Sequence, residues 1–391
     1  MRIKYKNKIK LMILFFIIYK ISFYYKKNSK ITREIYNLIK NINKYIITCK
    51  NGQLIEGIKE VYSNPKVSIV IALFNSSKTI KSAIRSIQNQ NMSEIEIILV
   101  DDFSTDDTIE VIEELRKEDP RIKIIKNSEN KGALFSKSIG GLNARGKYLF
   151  FLDSDDLYIN RNILNLCYNE AENNIDIIEF SGVVSSTEIL SINNLPIVPY
   201  YLRFKKNNEV INQPELSNFI YQKENNQIIK LIDGFLWGKC INIQIYRKSL
   251  KFLGDWIYKE KVNYGDDRIV NFVLFKIANS FKFVDELGIV YYYNNPLSIS
   301  HSLTNISRCH DELINIMSIF NITKNTYEIN IVIYELRFRW DWIIIPGLNR
   351  QNKEYAQKLL NQIINSKFIS KNDTIIINFF LNKINNYSFL E

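Results

Sequence analysis

Three carboxylates directly follow a short apolar run in the first half of the chain. Residues 148–152 read Y-L-F-F-L and lead into Asp153, Asp155 and Asp156. A continuous apolar run of this length is typical of a strand covered on both faces, as in a parallel α/β sheet. Ligands of such sheets bind beyond the carboxyl ends of the strands, and closely spaced carboxylates repel one another unless a cation lies between them. Oxygen ligands that are open to substrate phosphates suit Mg²⁺ or Mn²⁺. We therefore interpret the turn as a site for a metal ion and a diphosphate; the alternative is a solvated turn in which one or two of the aspartates cap the next helix.

A second acidic pair ends another predicted strand. The run I-E-I-I-L-V stops at Asp101 and Asp102. Apolar runs alternate with helix-like segments along this part of the chain, which predicts strands at 67–73, 95–100 and 122–125 and helices near 79–90, capped by Ser76 or Ser77, and 133–144. This alternation indicates βαβ units with a parallel sheet. Because parallel strands end at one edge, we expect Asp102 and Asp155 on the same edge, as a nucleotide site requires.

A third acidic pair lies much later, in the stretch Gly265-Asp266-Asp267-Arg268. An apolar segment follows it with helical spacing, so both aspartates are predicted at a helix N-terminus. Simple N-capping is the alternative to a catalytic role. Before it, the stretch D-G-F-L-W-G-K contains Trp237, which we expect either in the core or in the wall of a sugar pocket.

Charge is concentrated at the N-terminus. The net charge of the 391-residue chain is +11, and residues 1–30 carry nine basic residues and no acid, so about +2 remains for the other 361. This distribution argues against nucleic-acid binding by the rest of the chain. The four cysteines are scattered, without a C-x-x-C pair and without a metal-ligand spacing to the two histidines, so neither a zinc site nor a disulfide framework is indicated.

The basic N-terminus flanks an apolar run, Leu11–Tyr25, which contains Lys20. The run is shorter than the roughly 20 residues that span a bilayer comfortably. A signal-anchor helix, an interfacial helix and a signal peptide are the three interpretations. The absence of an A-x-A-like cleavage site ranks the signal peptide last.

The motifs in order resemble the family 2 glycosyltransferases, which are inverting enzymes with the GT-A fold. The resemblance rests on P-K-V-S-I-V-I-A-L-F-N, I-L-V-D-D-F-S-T-D, N-K-G, F-L-D-S-D-D and G-D-D, and it covers roughly residues 65–300. It implies an α/β fold of the nucleotide-diphospho-sugar transferase type, with a mostly parallel central sheet flanked by helices. The full organisation would be a membrane-anchor segment, a stem, a GT-A domain and a helical accessory region, at residues 1–30, 31–64, 65–304 and 305–391.

The resemblance implies a nucleotide and metal site. Asp102 would receive the nucleobase of a sugar nucleotide, with Phe74 bordering that base. Asp153 and Asp155 match the family's D-x-D motif, so Asp153 would lie near the ribose or sugar and Asp155 would bind Mn²⁺ or Mg²⁺. Lys137 stands where the family has the arginine of A-R-N, and it keeps the positive charge without a planar fork.

The resemblance also implies an acceptor side. Asp267 matches the second acid of the family's E-D pair, the general base, while Asp266 replaces the usual glutamate. Trp237 falls in a segment that often shapes the acceptor site, and His301 lies where the family often brings a basic residue to the diphosphate. Phe103 replaces a common glycine.

The implied function is metal-dependent transfer of a sugar from a nucleotide-sugar, by family preference a UDP-sugar, to a hydroxyl of a glycan, lipid or protein. A catalytically inactive sugar-nucleotide or glycan-binding module is the main alternative. A receiver-like signalling domain is disfavoured by the long continuation to G-D-D, and a dinucleotide oxidoreductase by the lack of G-x-G-x-x-G after the first strand. Nucleic acid is not an expected partner. We expect membrane association through the N-terminus. The sequon at Asn75 lies beside the predicted nucleotide pocket, where an attached glycan would interfere with binding. We therefore expect a catalytic domain in the cytosol, where this sequon would not be glycosylated.

Overall fold

A computed structural model describes residues 61–186, 198–199, 209–213, 221–224, 227–230, 235–293 and 303–387. The predicted membrane-anchor segment (1–30), the stem as far as residue 60, and His301 lie outside these residues. Within them, no helix combines the length and the apolar character needed to cross a bilayer.

The described chain contains strands and helices as far as residue 293 and is helical beyond it. The strands are β1 Val67–Leu73, β2 Ile95–Asp101, β3 Ile122–Lys126, β4 Tyr148–Phe151, β5 Leu157–Tyr158, β6 Ile177–Ser186, β7 Val198–Pro199, β8 Val210–Asn212, β9 Tyr221–Glu224, β10 Gln227–Lys230, β11 Lys239–Asn242 and β12 Ser280–Tyr293. The α-helices are α1 Ile80–Gln88, α2 Thr108–Glu118, α3 Ala133–Asn143, α4 Ile163–Ala171, α5 Ile243–Leu253, α6 Asp266–Ile277, α7 Asn305–Asn321, α8 Thr326–Arg339, α9 Arg350–Ile364 and α10 Lys371–Asn385.

The first four strands form the parallel half of the main sheet, in the order β3-β2-β1-β4. Strand β1 is the centre of this half and is buried on both faces. Its Ile69 and Ile71 pack into one hydrophobic cluster, whereas Val70 packs into another on the opposite face. The apolar run from Ile69 to Leu73 is therefore explained by the two covering layers, and the predicted βαβ organisation is confirmed.

The other half of the sheet is mixed. Strand β11 lies between β4 and β6 and runs antiparallel to both, while β6 and β12 are parallel to each other. The expectation of a mostly parallel sheet therefore holds for β1 to β4 and not for the whole. The reason is that the direction of a strand within a sheet is set by the path of the chain before it. The four residues of β11 are too few to indicate that direction from their sequence.

The C-terminal helices α7 to α10 confirm the predicted helical region. Their buried faces belong to the same hydrophobic cluster as those of α5 and α6. Leu313 of α7, Leu336 of α8 and Leu359 of α9 are fully buried. These helices therefore share a core with the helix that begins at Asp266.

Candidate active site

The loops after β1, β2 and β4 meet at one edge of the sheet. Leu73 pairs with Asp101, so β1 and β2 end together, and Phe151 at the end of β4 pairs with Val70, so β4 ends at the same edge, three residues earlier. The predicted convergence of the strand-end acids is therefore present. The hydroxyls of Ser76 and Ser154 are 2.9 Å apart and join the β1 and β4 loops.

Neither predicted serine caps α1. The helix begins at Ile80, after Thr79, and Thr79 makes no side-chain cap bond. Ser77 instead donates its hydroxyl to Asp106 Oδ2 at 2.7 Å, which ties the β1 loop to the β2 loop. Contacts between loops thus take the place of the local cap that the sequence suggested.

Asp102 anchors the loop that precedes α3. Its Oδ1 accepts hydrogen bonds from Asn127 Nδ2 and the Lys131 amide, both at 2.8 Å, and its Oδ2 accepts one from the Gly132 amide at 2.7 Å. Each carboxylate oxygen can accept about two hydrogen bonds. One acceptor position on Oδ2 thus remains for the predicted contact with a nucleobase.

The turn after β4 separates its aspartates by environment. Asp153 and Asp155 are half-buried, whereas Asp156 is fully buried and accepts a hydrogen bond from the Tyr292 amide at 3.0 Å. Burial, together with the charges of Asp155 and Asp153, raises the pKa of Asp156 well above its usual range. Asp156 therefore fixes the turn to β12, whereas Asp153 and Asp155 remain partly accessible to solvent.

Lys137, on α3, lies among three carboxylates. Its Nζ is 2.7 Å from Asp267 Oδ1, 3.0 Å from Asp266 Oδ2 and 3.5 Å from Asp153 Oδ1. Burial opposes its charge, but the three carboxylates raise the pKa of Lys137 well above its usual range. The ammonium thus neutralises part of the cluster and links the D-x-D turn to the G-D-D segment.

Asp266 and Asp267 open α6, as predicted, and both are buried. Asp267 Oδ2 accepts a hydrogen bond from the Leu236 amide at 3.1 Å. Burial raises the pKa of Asp266 to about 7; Lys137 opposes this rise and the neighbouring charge of Asp267 adds to it. The N-cap position is occupied by Gly265, so neither aspartate is the cap residue and simple N-capping does not describe the pair.

Trp237 is 3% exposed and belongs to the core. Its ring stacks on Phe235 at 4.7 Å and on Tyr291 at 5.5 Å between centroids. This geometry corresponds to the core alternative for Trp237 and leaves Phe235, which is half-buried, on its outer side. Phe74 follows β1 at the sheet edge and is half-buried, in the position predicted for a residue beside the base.

Several contacts of this site have no signal in the sequence. The Leu236 amide and the backbone amides on Asp102 are invisible there, because any residue supplies an N–H. The pairing of Lys137 with Asp267 joins residues 130 apart. The glycine of N-K-G does indicate the tight loop that supplies amides to Asp102, because Gly132 has φ +94°, a backbone conformation that favours glycine.

Comparison with known proteins assigns the domain that carries this edge. Residues 68–240 match the family described as Glycosyl transferase family 2. These residues belong to the family 2 glycosyltransferases. The matched span contains the D-x-D turn and Lys137, whereas the G-D-D segment lies beyond it.

Two curated relatives and one solved structure extend the comparison. The Escherichia coli protein named UDP-Glc:alpha-D-GlcNAc-diphosphoundecaprenol beta-1,3-glucosyltransferase WfaP is 42% identical over 99 residues, 25% of this chain and 39% of that protein. The Borreliella burgdorferi protein named cholesterol galactosyltransferase is 26% identical over 330 residues, 80% of this chain and 87% of that protein. The crystal structure of S. aureus TarS 1–349 with UDP-GlcNAc has a TM-score of 0.59 at 16% identity, covering 82% of this chain and 89% of that one.

The matches differ in extent. This chain covers 63%, 30% and 39% of the length of three curated glycosyltransferase relatives, of which WfaP is the last. The similarity to TarS includes most of the chain and shows that the GT-A glycosyltransferase fold is shared.

Proposed function

We propose that this protein is an inverting glycosyltransferase that moves a sugar from a UDP-sugar to an acceptor hydroxyl. The observation that carries the proposal is the convergence of Asp153, Asp266 and Asp267 around Lys137 at the edge where β1, β2 and β4 end. Ligands of open α/β sheets bind at this edge. The names of WfaP and of the TarS complex support a uridine nucleotide as the donor.

The acids of the D-x-D turn fit a divalent metal held jointly with the donor. No group of three metal-binding side chains occurs in the part of the chain that the structure describes. Mg²⁺ is commonly held by one or two carboxylates together with substrate phosphates, and Asp155, half-buried in the turn that follows β4, fits that mode. The metal would neutralise charge on the leaving diphosphate as a Lewis acid. Lys137 supplies a second, permanent positive charge nearby.

Asp267 is proposed as the general base for the acceptor hydroxyl. A base must come within hydrogen-bond reach of the proton that it removes. Lys137 and the Leu236 amide hold the carboxylate of Asp267 in one orientation. A single base opposite the diphosphate gives direct displacement with inversion, without the second, nucleophilic carboxylate of retaining glycosidases.

A lipid or lipid-linked acceptor is the class that the relatives support. The names of WfaP and of the B. burgdorferi protein specify a diphosphoundecaprenol-linked sugar and cholesterol. We propose membrane association through residues 1–30 and a catalytic domain in the cytosol, in keeping with the basic apolar N-terminus and the sequon at Asn75.

A catalytically inactive sugar-nucleotide-binding protein is the second candidate. One observation favours it: both oxygens of Asp267 already accept a hydrogen bond. Each oxygen keeps about one further acceptor position, so an acceptor hydroxyl has to share an oxygen of Asp267 with Lys137 or the Leu236 amide.

Calorimetry of the full chain with UDP and GDP, with and without Mn²⁺, tests the donor site. We expect metal-dependent binding of UDP that Asp155→Asn removes. Absence of binding by folded protein would overturn the proposal. Binding by a protein that releases no UDP from UDP-glucose, UDP-galactose or UDP-GlcNAc in the presence of lipid acceptors would favour the inactive alternative.

A further inference from the structure

Four charged side chains form a buried cluster directly behind the G-D-D segment. Arg268, the residue after Asp267, contacts Glu312 of α7 at 2.5 Å and Glu335 of α8 at 3.2 Å. Arg339 of α8 contacts Glu312 at 3.0 Å and also pairs with Glu335. Both glutamates are 1% exposed. We call these four residues the arginine–glutamate cluster.

Helix α7 also holds the loop on the other side of the segment. Asp311 Oδ2 accepts hydrogen bonds from the Asn263 amide at 2.9 Å and the Tyr264 amide at 3.0 Å. Asn315 Nδ2 donates to the Tyr264 carbonyl at 2.9 Å. The segment that contains Asp266 and Asp267 is therefore fixed to α7 both before and after the two acids.

We propose that the C-terminal helices position the base, and that Arg268 and Glu312 are positioning residues of the transfer reaction. The inference rests on the proposed role of Asp267. Because Arg268 adjoins Asp267 on the first turn of α6, a shift of its guanidinium moves the base relative to the acceptor. A displacement of about 1 Å at a reacting group can cost on the order of 100-fold in rate. Residues 303–387 would then be part of the catalytic apparatus as well as of the shared core.

A second ion pair provides a matched control. Lys276, near the end of α6, pairs with Glu328 of α8. It therefore joins α6 to the helix that carries Glu335 and Arg339 of the arginine–glutamate cluster. Lys276 lies nine residues after Asp267, about 14 Å along a helix that rises 1.5 Å per residue. A variant of this pair perturbs a contact between α6 and a C-terminal helix at the end of α6 that is far from the base.

The test compares Glu312→Gln with Glu328→Gln in the full-length protein. We would measure UDP release from UDP-glucose, UDP-galactose or UDP-GlcNAc, whichever the wild type turns over, together with UDP binding by calorimetry and thermal unfolding. We expect Glu312→Gln to lower kcat by about 100-fold, with the donor KM and the UDP Kd changed by less than about threefold. Glu328→Gln should keep kcat within about twofold of the wild type. An unchanged kcat in Glu312→Gln, or equal losses in both variants, would overturn the inference.

Arg268→Lys keeps the test decisive if Glu312→Gln does not fold. Lysine preserves the buried charge but cannot engage two glutamates through a planar fork, so kcat should fall by about 10-fold while UDP binding stays intact. A wild-type kcat in Arg268→Lys would contradict the inference. Asp267→Asn distinguishes the proposed base from the proposed positioning role. Full activity in Asp267→Asn would show that Asp267 is not the base. An inactive Asp267→Asn together with a fully active Glu312→Gln would reject only the positioning role.

Discussion

Lys137 Nζ lies 2.7 Å from Asp267 Oδ1, an ion pair between α3 and the first turn of α6. The same ammonium reaches Asp266 and Asp153. One lysine thereby connects Asp153, which is proposed to lie on the donor side, with Asp267, which is proposed to act on the acceptor.

Asp267→Asn should abolish transfer and preserve nucleotide binding. An amide cannot accept the acceptor proton, and general-base catalysis typically contributes about 10² to 10⁴ in rate. The measurement is UDP release, with UDP binding followed by calorimetry. Asp255→Asn, an exposed acid at the start of the Asp255–Tyr258 3₁₀ helix, is the control and should be fully active. Wild-type rates in Asp267→Asn would remove Asp267 as the base.

Lys137→Met should destabilise the folded protein strongly. It leaves three carboxylates without their shared cation, and loss of one partner of a buried ion pair typically costs about 3 to 5 kcal/mol. Lys147→Met is the control, because the Lys147–Glu172 pair is largely exposed and such pairs contribute about 0 to 1 kcal/mol. Denaturant unfolding measures both. Equal free energies of unfolding for the two variants would show that the carboxylate cluster does not depend on this lysine.

Gly132→Ala should disrupt the loop that Asp102 anchors. The residue has φ +94°, and an added Cβ would lie 2.9 Å from the backbone N and O of Val262. Gly254→Ala is the control, since Gly254 has φ +85° and nothing within 4 Å of its added Cβ. Gly254 has ψ −173°, a combination with positive φ that is essentially restricted to glycine, so the control should lose about 1 to 3 kcal/mol from its backbone alone, and Gly132→Ala should lose more. Equal losses in denaturant unfolding would show that the Val262 backbone yields freely.

Asp311 should make stability fall as the pH rises from about 4 to about 6. Burial raises its pKa from 3.8 to about 6; the two backbone hydrogen bonds and His310 oppose this, and Glu312 adds to it. The folded protein then holds a proton that the unfolded chain has released, so stability is lost through that interval. A shift of this size corresponds to roughly 3 kcal/mol.

Asp311→Asn provides the matching measurement. Its amide oxygen can accept both backbone hydrogen bonds, and it does not titrate. The free energy of unfolding of the wild type relative to Asp311→Asn should therefore decline between pH 4 and 6 and stay level above pH 7. A constant difference across this range would refute the shift.

Local pattern accounts for much of the fold. The prediction for β1 matches Val67–Leu73 at both ends, and α3 ends one residue earlier than expected. These elements were predictable because the spacing of apolar residues indicates whether both faces of a strand, or one face of a helix, are buried. The antiparallel direction of β11 was not, because four residues carry no information about the path of the preceding chain.

The features of the candidate site also divide into those that the sequence predicts and those that only the tertiary structure shows. The sequence by itself placed Asp102, Asp153 and Asp155 after strands that end at one edge and placed Asp267 at a helix start, since each position depends on neighbours along the chain. Only the tertiary structure decided that Lys137 pairs with Asp267, 130 residues away, that Trp237 is enclosed by Phe235 and Tyr291, and that Arg268 meets two glutamates of the C-terminal helices. The physical reason is that ion pairing and ring stacking depend on distance in space, which the packing of the whole chain sets.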